Sequence, residues 1–399
     1  MIAGRARRRL LHVPSADWDG RQIRQALRMR PVHGNPVSRL EQAAERVLGV
    51  PVIAFGSARS ALAAVLLADP PASGKVVVAA YTCVAVPNAI RAAGAQNVWV
   101  DVVGPNIDPD AARRAAMPGD AILAQHTYGV PIAREIAGAA RQRAIRVIED
   151  RAHRFDGTDL HGDAAVFSLE HSKVISGGQG GLAWARDDRV MAELGRMRDT
   201  WPPVDGRTAA RVLRTSATQA ALARLGGPQG VGNSLVRRIA LRLPALSVPG
   251  QSEDELAGSG IQLSGPHPVM AEIGITSLRR LAATMDHRRW IADVYRAELG
   301  DLVPGWSPPD VTLVRMPVLV SDAASVARSM RERGWDLGPR WFDASIHPAG
   351  SISDYVPGSA PAAERLSASV LTLPTHALID KPTARRIAVA VLAAVALRT

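Results

Sequence analysis

The chain has 399 residues, 47% of them hydrophobic and 21% charged, with a mean hydropathy near zero, which is typical of a folded protein with one large and one smaller domain. Its single cysteine, Cys83, excludes an intrachain disulfide framework and a zinc site of several cysteines, and fits a reducing cytoplasm. The net charge of +11 comes mostly from scattered arginines, so it favours an anionic small substrate over nucleic acid as the partner.

Neither end of the sequence predicts a secreted or membrane-bound protein. The start, "MIAGRARRRLLHVPSADW", is basic but lacks the apolar centre of a secretory signal. The longest apolar run, "IAVAVLAAVAL" near the C-terminus, is far shorter than the roughly 20 residues that a membrane span needs. We expect this run to form a buried terminal helix, and we expect no membrane partner.

Short apolar runs alternate with helical patterns from about residue 50. The pairs, in chain order, are "PVIAF" with "SARSALAAVLLA", "KVVVAAY" with "VAVPNAIRAAG", "NVWVDV" with "DPDAARRAA", and "AILAQH" with "PIAREIAGAARQRA", followed by "IRVIED". Strands rich in β-branched residues, separated by helices, predict an α/β fold with a mostly parallel sheet covered on both faces. A loop alone separates "AAVFSL" from "GGLAWA", so the strand pattern changes there.

The alternation stops at residues 201–268, where Pro- and Gly-rich stretches surround two arginine-bearing helical patterns. This segment is interpreted either as an insertion or lid that contacts substrate or another subunit, or as a solvated connector. A long helical stretch then begins near Val269, and a strand, a helix and the terminal helix follow. We therefore predict a large α/β domain over 1–268 and a small α+β domain over 269–399.

Polar residues follow several of the predicted strands, at the sheet edge where α/β proteins bind ligands. "FGSARSAL" joins a strand to a helix, which places Ala58, Arg59 and Ser60 at a helix N-terminus that attracts phosphate. By itself this motif is weak, because a Gly-Ser turn before a helix is more often only a cap. "VIEDRAH" ends a buried strand with Asp150, and such a carboxylate requires a cationic or protonated partner.

Lys173 is one of only three lysines in the chain, and it lies five residues after the strand-end hydroxyl of Ser168 in "FSLEHSKVISGGQGG". An amine among glycines and short apolar residues can be desolvated, which favours the neutral nucleophile that forms a Schiff base. A surface lysine is the ordinary alternative, but this chain uses arginine for nearly all its other cations. An acid, a hydroxyl and a lysine in this order indicate pyridoxal 5′-phosphate as cofactor.

Seven segments in the right order resemble the DegT/DnrJ/StrS-family aminotransferases, the sugar aminotransferase group of fold type I pyridoxal-phosphate enzymes. The resemblance covers nearly the whole chain, and its segments are "NPVSRLEQAAERVLG", "GSARSAL", "YTCVAVPNAIRAAG", "QHTYG", "IEDRAHRFDG", "FSLEHSKVISGGQGG" and "AAERLSASVLTLPTHALI". It implies that Lys173 forms the Schiff base and moves a proton, and that Asp150 keeps the pyridine nitrogen protonated. His153 takes the family's glutamine-or-histidine position beside the cofactor.

The remaining roles follow from the same resemblance. Ser168, Arg59 and Ser60 are implied to bind the phosphate, with Ala58 at the same helix start. His126 and Tyr128 are placed near the pocket floor.

The sequence also departs from the family. Cys83 stands where an aromatic residue usually stacks on the cofactor ring, and Tyr81 is a candidate substitute. Gln179 replaces the usual glutamate. The family's "GyN-x-R" segment is missing, since "GIQLSGPHPVMAEIGI" contains neither Asn nor Arg. That segment reaches the neighbouring subunit's site in the family, so its loss weakens the case for an ordinary nucleotide-sugar substrate.

The resemblance implies an aminotransferase that takes an amino group from an amino acid, glutamate being the expected donor, and gives it to a keto group of a sugar, nucleotide-linked by default. It implies at least a homodimer with a shared active site. A cyclitol or other ketone as acceptor, or dehydration chemistry, is the alternative within this fold. A non-catalytic regulator that binds nucleic acid is a third hypothesis, which the presence of Asp150, Ser168 and Lys173 disfavours.

Overall fold

A computed structural model of the chain describes residues 9–10, 13, 15–29, 34–225, 256–257, 261–338, 340–351 and 353–396. The described strands are β1 (Arg9–Leu10), β2 (Ile53–Phe55), β3 (Lys75–Ala79), β4 (Thr82–Cys83), β5 (Gln96–Val100), β6 (Val102–Val103), β7 (Asn106–Ile107), β8 (Ala121–Gln125), β9 (Arg146–Asp150), β10 (Ala164–Ser168), β11 (Gly181–Ala185), β12 (Arg315–Leu319), β13 (Trp335–Asp336), β14 (Ile346–His347) and β15 (Val370–Pro374).

The described helices of more than one turn are α1 (Gly20–Arg28), α2 (Pro36–Leu48), α3 (Ala58–Ala68), α4 (Ala85–Ala92), α5 (Pro109–Ala115), α6 (Glu135–Arg141), α7 (Asp188–Thr200), α8 (Gly206–Leu225), α9 (Pro268–Leu278), α10 (Leu281–Leu299), α11 (Ala323–Glu332), α12 (Pro361–Ser369) and α13 (Lys381–Ala396). Proline at the first positions or an Asp, Asn or Ser cap begins many of them, since these residues satisfy or remove the free N–H groups of the first turn.

Seven strands form the central sheet in the order β2-β11-β10-β9-β8-β3-β5. All neighbouring pairs are parallel except the two that involve β11, which is antiparallel to β10 and to β2. This confirms the predicted α/β class and the change of strand pattern between "AAVFSL" and "GGLAWA". As a result the carboxyl ends of β2, β3, β8, β9 and β10 lie at one edge of the sheet, and that edge receives the polar residues named above.

Burial explains why the central strands read as continuous apolar runs. Val76, Val77 and Val78 in β3 are fully buried, because helices cover both faces of the sheet. Alternate residues of these strands pack into two hydrophobic cores, one on each face: Val76 and Val78 pack with α3 residues, and Val77 packs with α5 and α6 residues.

The long helical stretch predicted from near Val269 is present, and it consists of two helices, α9 and α10. The backbone leaves the helical conformation at Arg280, with φ −109° and ψ 4°, between α9 and α10. The two helices bury different faces, because α9 packs on α2 whereas α10 packs on α13. A single straight helix could not reach both partners.

The C-terminal part contains the antiparallel pair β12–β15, which packs with α10, α11 and α13 around one hydrophobic core. This matches the predicted α+β content, and the exact division of the chain at residue 268 stays a prediction. The run "IAVAVLAAVAL" falls largely within α13, whose Ile387, Ala388 and Val391 are buried. No helix among the described residues is both long and apolar enough to span a membrane.

Only part of the segment 201–268 lies within the described residues. Its α8 packs against α1, and Trp18, Ile23 and Leu213 are buried between them. This described part packs as a layer of the fold, and the interpretation of the whole segment as a lid or as a connector stays a prediction. Most of the remaining segment, residues 226–255 and 258–260, lies outside the described residues.

Candidate active site

The carboxyl edge of the sheet brings together the acid, the hydroxyl and the lysine that the sequence singled out. Asp150 ends β9, Ser168 ends the neighbouring strand β10, and Lys173 lies in the loop that leads from β10 to β11. The loop folds back on itself, since the Lys173 N–H donates to the Glu170 carbonyl and the Gly177 N–H to the Leu169 carbonyl. Local backbone bonds therefore fix where the lysine leaves the sheet.

The glycines after the lysine are needed by this loop. Gly178 and Gly180 have φ values of +88° and +145°, which side chains rarely adopt. A Cβ on Gly177 would lie 2.7 Å from the Met270 carbonyl oxygen, so the loop also passes close to α9. The glycines of "SGGQGG" thus allow the unusual dihedrals and the close approach that this loop requires.

Asp150 is a buried carboxylate whose two oxygens both accept hydrogen bonds. The Gln125 side-chain amide donates to Oδ2 at 3.0 Å, and the Ala152 N–H donates to Oδ1 at 2.9 Å. Burial raises the pKa of Asp150, while these donors and the charge of Lys173 act to lower it. A cation placed against this carboxylate would be strongly favoured, because it would offset the cost of burial.

The side chain of Lys173 lies against an aromatic residue from the C-terminal part of the chain. Its Nζ is 4.9 Å from the centre of the Trp341 ring, and that ring stacks on His153 with centroids 5.2 Å apart and planes at 21°. Burial lowers the pKa of His153 well below 6.5, and the charge of Lys173 acts in the same direction. His153 is therefore a neutral imidazole at pH 7, and its Nδ1 accepts the Tyr128 N–H at 3.0 Å.

The helix start that the sequence predicted as a phosphate site lies at the same edge. Ser57 caps α3 by accepting the Ser60 N–H at 3.0 Å, and Ala58 is the first residue of the helix. A Cβ on Gly181 would lie 2.5 Å from the Ala58 nitrogen, so β11 begins directly beside this N-terminus. Gly181 pairs with Ser168 across β10 and β11, so the Ser168 side chain lies on the same face of the sheet as this helix start.

Two of the residues predicted to bind the phosphate, Ser60 and Arg59, differ in their surroundings. Ser60 is fully buried, and its hydroxyl contacts the Ser57 hydroxyl at 3.0 Å and the Gln262 carbonyl at 3.4 Å. The structure thus uses Ser60 to join α3 to residues 262–264 and does not place it at the exposed side of the helix start. Arg59 is partly exposed on the first turn of α3.

The His126 side chain belongs to a buried ion network, although its backbone N–H donates to the Asp150 carbonyl at 3.0 Å. Its Nε2 is 3.0 Å from Glu149 Oε2, and Arg151 donates to the same oxygen at 3.0 Å. Successive strand residues point to opposite faces, so Glu149 and Asp150 face different sides of the sheet, and His126 follows Glu149. The structure therefore places the His126 side chain in this network and on the face of the sheet opposite the Asp150 side chain.

Tyr81, the candidate for the aromatic partner of the cofactor ring, and Cys83, which stands at the family's aromatic position, both lie beside residues 340–347. Tyr81 is fully buried, stacks on Phe342 at 4.8 Å and shares a 2.7 Å hydrogen bond with the Tyr128 hydroxyl. Its ring therefore has no exposed face in this structure. Cys83 lies in β4, which pairs in parallel with β14.

Residues that the sequence reasoning missed complete the site. Gln125 binds Asp150, while Trp341 lies on Lys173 and His153. Arg315 places its guanidinium carbon 4.4 Å from the centre of the same Trp341 ring. The available signals were a charged residue inside the apolar strand "VRMPVLV" and two consecutive aromatics in a chain that has only 8 Trp, 4 Tyr and 4 Phe.

The residues present fit the cofactor that the resemblance implies. Within the described residues, three buried polar atoms at this edge have no hydrogen-bond partner: Thr82 Oγ1, Gln125 Oε1 and Thr127 Oγ1. Unpaired buried atoms are rare in proteins and are common where a polar ligand completes a site. Pyridoxal 5′-phosphate needs a lysine, an acid and phosphate donors, and Lys173, Asp150 and the start of α3 lie here together.

Comparison with known proteins agrees with this arrangement. Over 166 residues, 38% of this chain, it is 31% identical to a Streptomyces kanamyceticus protein that carries the name of an L-glutamine:3-amino-2,3-dideoxy-scyllo-inosose aminotransferase. Over 212 residues, 48% of this chain, it is 29% identical to the GDP-perosamine synthase of Caulobacter vibrioides. These matches span 40% and 54% of the lengths of the two relatives.

A crystal structure of NtdA from Bacillus subtilis with bound cofactor PMP matches 98% of this chain and 86% of its own, with a TM-score of 0.69 and 19% identity. This likeness shows the fold, which is fold type I as predicted. The sequence profile of one protein family matches residues 19–223 and 240–392, which is most of the chain. The chain belongs to the DegT/DnrJ/EryC1/StrS aminotransferase family.

Proposed function

We propose that this protein is a pyridoxal-phosphate-dependent aminotransferase that moves an amino group from an amino acid, glutamate being the expected donor, to a keto group of a sugar, nucleotide-linked by default. The observation that carries the proposal is the meeting of Lys173 and Asp150 at the sheet edge where α3 begins. Membership of the aminotransferase family, the relative named GDP-perosamine synthase and the PMP-bound structural neighbour support it.

Each residue has a role that follows from its surroundings. Pyridoxal phosphate, when bound, supplies a carbonyl carbon that accepts the donor's amino group and a ring that withdraws electrons. Lys173 forms the covalent link and moves the proton at the reacting carbon. Asp150 holds a proton on the ring nitrogen by charge, and the Ala58 N–H and the Ser168 hydroxyl bind the phosphate.

His153 and Trp341 exclude water from Lys173 and orient what binds there. The Trp341 ring lies against the amine and His153 stacks on that ring, and a stacked pair holds its orientation better than isolated side chains do. The neutral state of His153 also adds no further positive charge beside the amine.

Borohydride trapping tests the proposal. The protein is incubated with pyridoxal phosphate, reduced with borohydride and digested, and the masses of its peptides are measured by mass spectrometry. We expect the cofactor mass on the peptide that contains Lys173 and not on those with Lys75 or Lys381, which serve as controls within the chain. Lys173→Ala should lose the adduct and slow transamination by about 10²–10⁴-fold. No adduct at Lys173 would overturn the proposal.

The acceptor is tested separately. One relative bears the name of a cyclitol aminotransferase, which keeps a keto-cyclitol as the second candidate. We would load the cofactor in its amine form and mix it with nucleotide-linked keto-sugars and with keto-cyclitols. Recovery of the aldehyde form with the sugars supports the leading proposal, and recovery with the cyclitols alone supports the second.

We further propose that the enzyme works as at least a homodimer in the cytoplasm. The resemblance implies a site completed by a second subunit, and the single cysteine suits a reducing compartment. Sedimentation at several protein concentrations tests the dimer. A species of 42.3 kDa alone at all concentrations would contradict it.

A further inference from the structure

A groove in the C-terminal part of the chain combines cations with an apolar floor. It has a volume of about 400 Å³ and lies between α13 and the turn that joins α11 to β13. Three of the residues that line it are arginines and others are apolar: Arg333, Arg385, Arg386, Trp335, Val389 and Ala393. Among the described residues, no acidic side chain lines the groove, and none of its lining residues belongs to the candidate active site.

The wall that α13 contributes has a charged end and an apolar end. Its lining residues recur about once per helical turn, so they form one stripe along the helix. Arg385 and Arg386 begin this stripe, Val389 follows, and Ala393 ends it. At about 1.5 Å per residue, the stripe from Arg385 to Ala393 is about 12 Å long. A ligand that matches it has an anionic head and an apolar tail.

The arginines of this wall present N–H groups to an anion. The Arg386 guanidinium carbon is 5.6 Å from the centre of the Trp335 ring, and a guanidinium that packs on an indole keeps its N–H groups directed outward. The Arg385 Nε donates to Glu298 at 2.9 Å. Because the Arg385 side chain is 55% exposed, this pair is weak, and a phosphate can compete for the guanidinium.

Aliphatic side chains lie exposed on the same face of α13. Val389 is 59% exposed and Leu392 is 40% exposed, and both follow the two arginines of the stripe. Exposed aliphatic residues next to cations on one helix are typical of surfaces that contact lipid headgroups and the upper part of the acyl chains. The composition of this face therefore favours a lipid over a wholly polar anion.

The arginine-rich start of the chain is joined to the same place. Strand β1 pairs in parallel with β13, with Arg9 opposite Trp335. Arg5, Arg7 and Arg8 precede this strand in the sequence and lie outside the described residues. Since a residue spans at most about 3.6 Å, the chain keeps them within about 14 Å of Arg9. So many cations exceed what one small anion needs, and they suit an extended anionic surface.

We propose that this groove docks the protein on an anionic membrane surface, with lipid phosphates on Arg385 and Arg386 and acyl carbons against Val389. Duplex nucleic acid offers no apolar group for the floor. An acidic amphipathic helix carries its charges along its whole length, whereas the α13 wall has cations at one end only. The expectation of no membrane partner rested on the lack of a spanning or signal segment, and surface contact requires neither.

Vesicle flotation tests the proposal. The cofactor-loaded protein is mixed with vesicles of phosphatidylcholine alone, or of phosphatidylcholine with phosphatidylglycerol, and the bound fraction gives a partition coefficient. We expect binding to the phosphatidylglycerol vesicles and none to phosphatidylcholine alone. Raising the salt from about 0.1 M to about 1 M should release the protein, because the screening length falls from about 10 Å to about 3 Å.

A matched pair of double variants tests the cations. We expect Arg385→Gln/Arg386→Gln to lower the partition coefficient roughly 20- to 30-fold, since each arginine near an anionic surface contributes about fivefold. The control is Arg211→Gln/Arg214→Gln, which removes two exposed arginines from α8 and changes the net charge equally. It should stay within about threefold of wild type.

A second matched pair tests the apolar contact without changing any charge. We expect Val389→Ser to lower the partition coefficient roughly 3- to 10-fold, because it removes an aliphatic group from the lipid contact. The control is Val356→Ser, at a valine that is 65% exposed in the turn before α12. It should match wild type.

Several results would overturn the inference. One is the absence of wild-type binding to the phosphatidylglycerol vesicles, and another is an equal loss in the two double variants, which would leave net charge as the only cause. Binding of a soluble short-chain phosphatidylglycerol, of duplex DNA or of an acidic helical peptide, without vesicle binding, would assign the groove to that ligand instead. If the Arg385→Gln/Arg386→Gln variant does not fold, Arg386→Gln alone and Val389→Ser decide the question in the same assay.

The inference does not rest on the proposed aminotransferase function, and the two can fail independently. All of these variants should form the Lys173 adduct as the wild type does, since the groove contributes no residue to the candidate active site. An adduct without vesicle binding would leave the aminotransferase standing and remove the docking surface. Vesicle binding without an adduct would do the reverse.

Discussion

The pKa values of two residues, the buried His126 and Glu149, make the free energy of unfolding depend on pH. Burial lowers the pKa of His126 to about 4, although Glu149 acts to raise it. Burial would raise the pKa of Glu149, but the bond from His126, the Gly162 N–H and the charge of Arg151 hold it at about 2. Both groups resist protonation in the folded chain.

The sign of the effect follows from the unfolded chain, where a histidine accepts a proton near pH 6.5. Between that pH and about 4 the unfolded chain binds one more proton at this position than the folded chain does, so stability falls as the pH falls. Because the folded chain lowers the pKa of Glu149 from 4.5 to about 2, the free energy of unfolding falls further below about pH 4.5.

His126→Asn tests this effect. We expect the variant to be less stable than wild type at pH 7, and the difference in unfolding free energy to shrink by about 2 kcal/mol at pH 4.5, since Asn does not titrate. Urea unfolding at both values measures it, with His287→Asn, whose ring bonds the His376 carbonyl, as the control. An equal loss of unfolding free energy in His126→Asn at the two pH values would show that the His126–Glu149 pair does not cause the pH dependence.

Site residues that directly follow a strand could be predicted from the sequence. Site residues that come from distant parts of the chain could not. Lys173, Asp150 and Ser168 each follow a strand, so strand ends alone brought them together. Trp341 reaches Lys173 only because β14 pairs with β4, and two-residue strands leave no periodic pattern to read. His126 stays a predicted site residue, and its side chain bonds Glu149 because alternation along β8 and β9 decides which face a side chain takes.

The start of α3 depends on one glycine in the neighbouring strand. A Cβ on Gly181 would lie 2.4 Å from the Ser57 carbonyl oxygen and 2.5 Å from the Ala58 nitrogen, and both are backbone atoms that cannot turn aside. A side chain there must push β11 away from the helix or shift the helix start. Either movement disturbs the phosphate donors that we propose.

Gly181→Ala should therefore destabilise the protein by about 1–3 kcal/mol and weaken cofactor binding. The control is Gly195→Ala in α7, where the new Cβ meets no atom within 4 Å, and where a gain of about 0.5–1 kcal/mol in helix propensity is expected. Thermal unfolding and titration with pyridoxal phosphate measure both effects. Wild-type stability and affinity in Gly181→Ala would contradict the expected clash.

Elements were predictable where their hydrophobic period was long and strong. Apolar runs that alternate with helical patterns from residue 50 to 185 predicted the parallel sheet, because strands buried on both faces carry continuous apolar runs. The break between α9 and α10 left no proline or glycine as a sign, since residues 279 and 280 are both arginines. It arises from packing, as each helix follows a different partner.

At the scale of the whole molecule, one buried ion pair joins the segment before α1 to the C-terminal elements. Arg288 of α10 bonds Asp17, and its Nη1 donates to the Val314 carbonyl at 2.7 Å and to the Thr375 hydroxyl at 3.0 Å. Asp17 also accepts the Ala377 N–H at 2.8 Å. The pair thus holds the chain before α1 against one end of the β12–β15 ribbon, where β12 begins and β15 ends.

Removing one partner should leave the other charge buried and unpaired. Burial would raise the pKa of Asp17, but the charges of Arg288 and His376 and the bond from Ala377 outweigh it and lower the pKa, so the carboxylate is ionised at pH 7. We expect Asp17→Asn to cost about 3–5 kcal/mol of unfolding free energy at pH 7, because Arg288 is only 4% exposed at its side chain.

The matched control is Asp286→Asn, on the same helix, whose bond to Arg289 joins residues three apart at an aspartate that is 70% exposed. It should cost no more than about 0.5 kcal/mol, since exposed pairs of this kind add little. Because the lowered pKa of Asp17 adds stability only above the unfolded value of 3.8, the Asp17→Asn penalty should shrink as the pH falls below about 4. Urea unfolding of both variants at pH 7 and pH 3.5 measures these penalties. Equal penalties for the two variants at pH 7 would show that the buried Asp17–Arg288 pair does not stabilise the fold more than an exposed pair does.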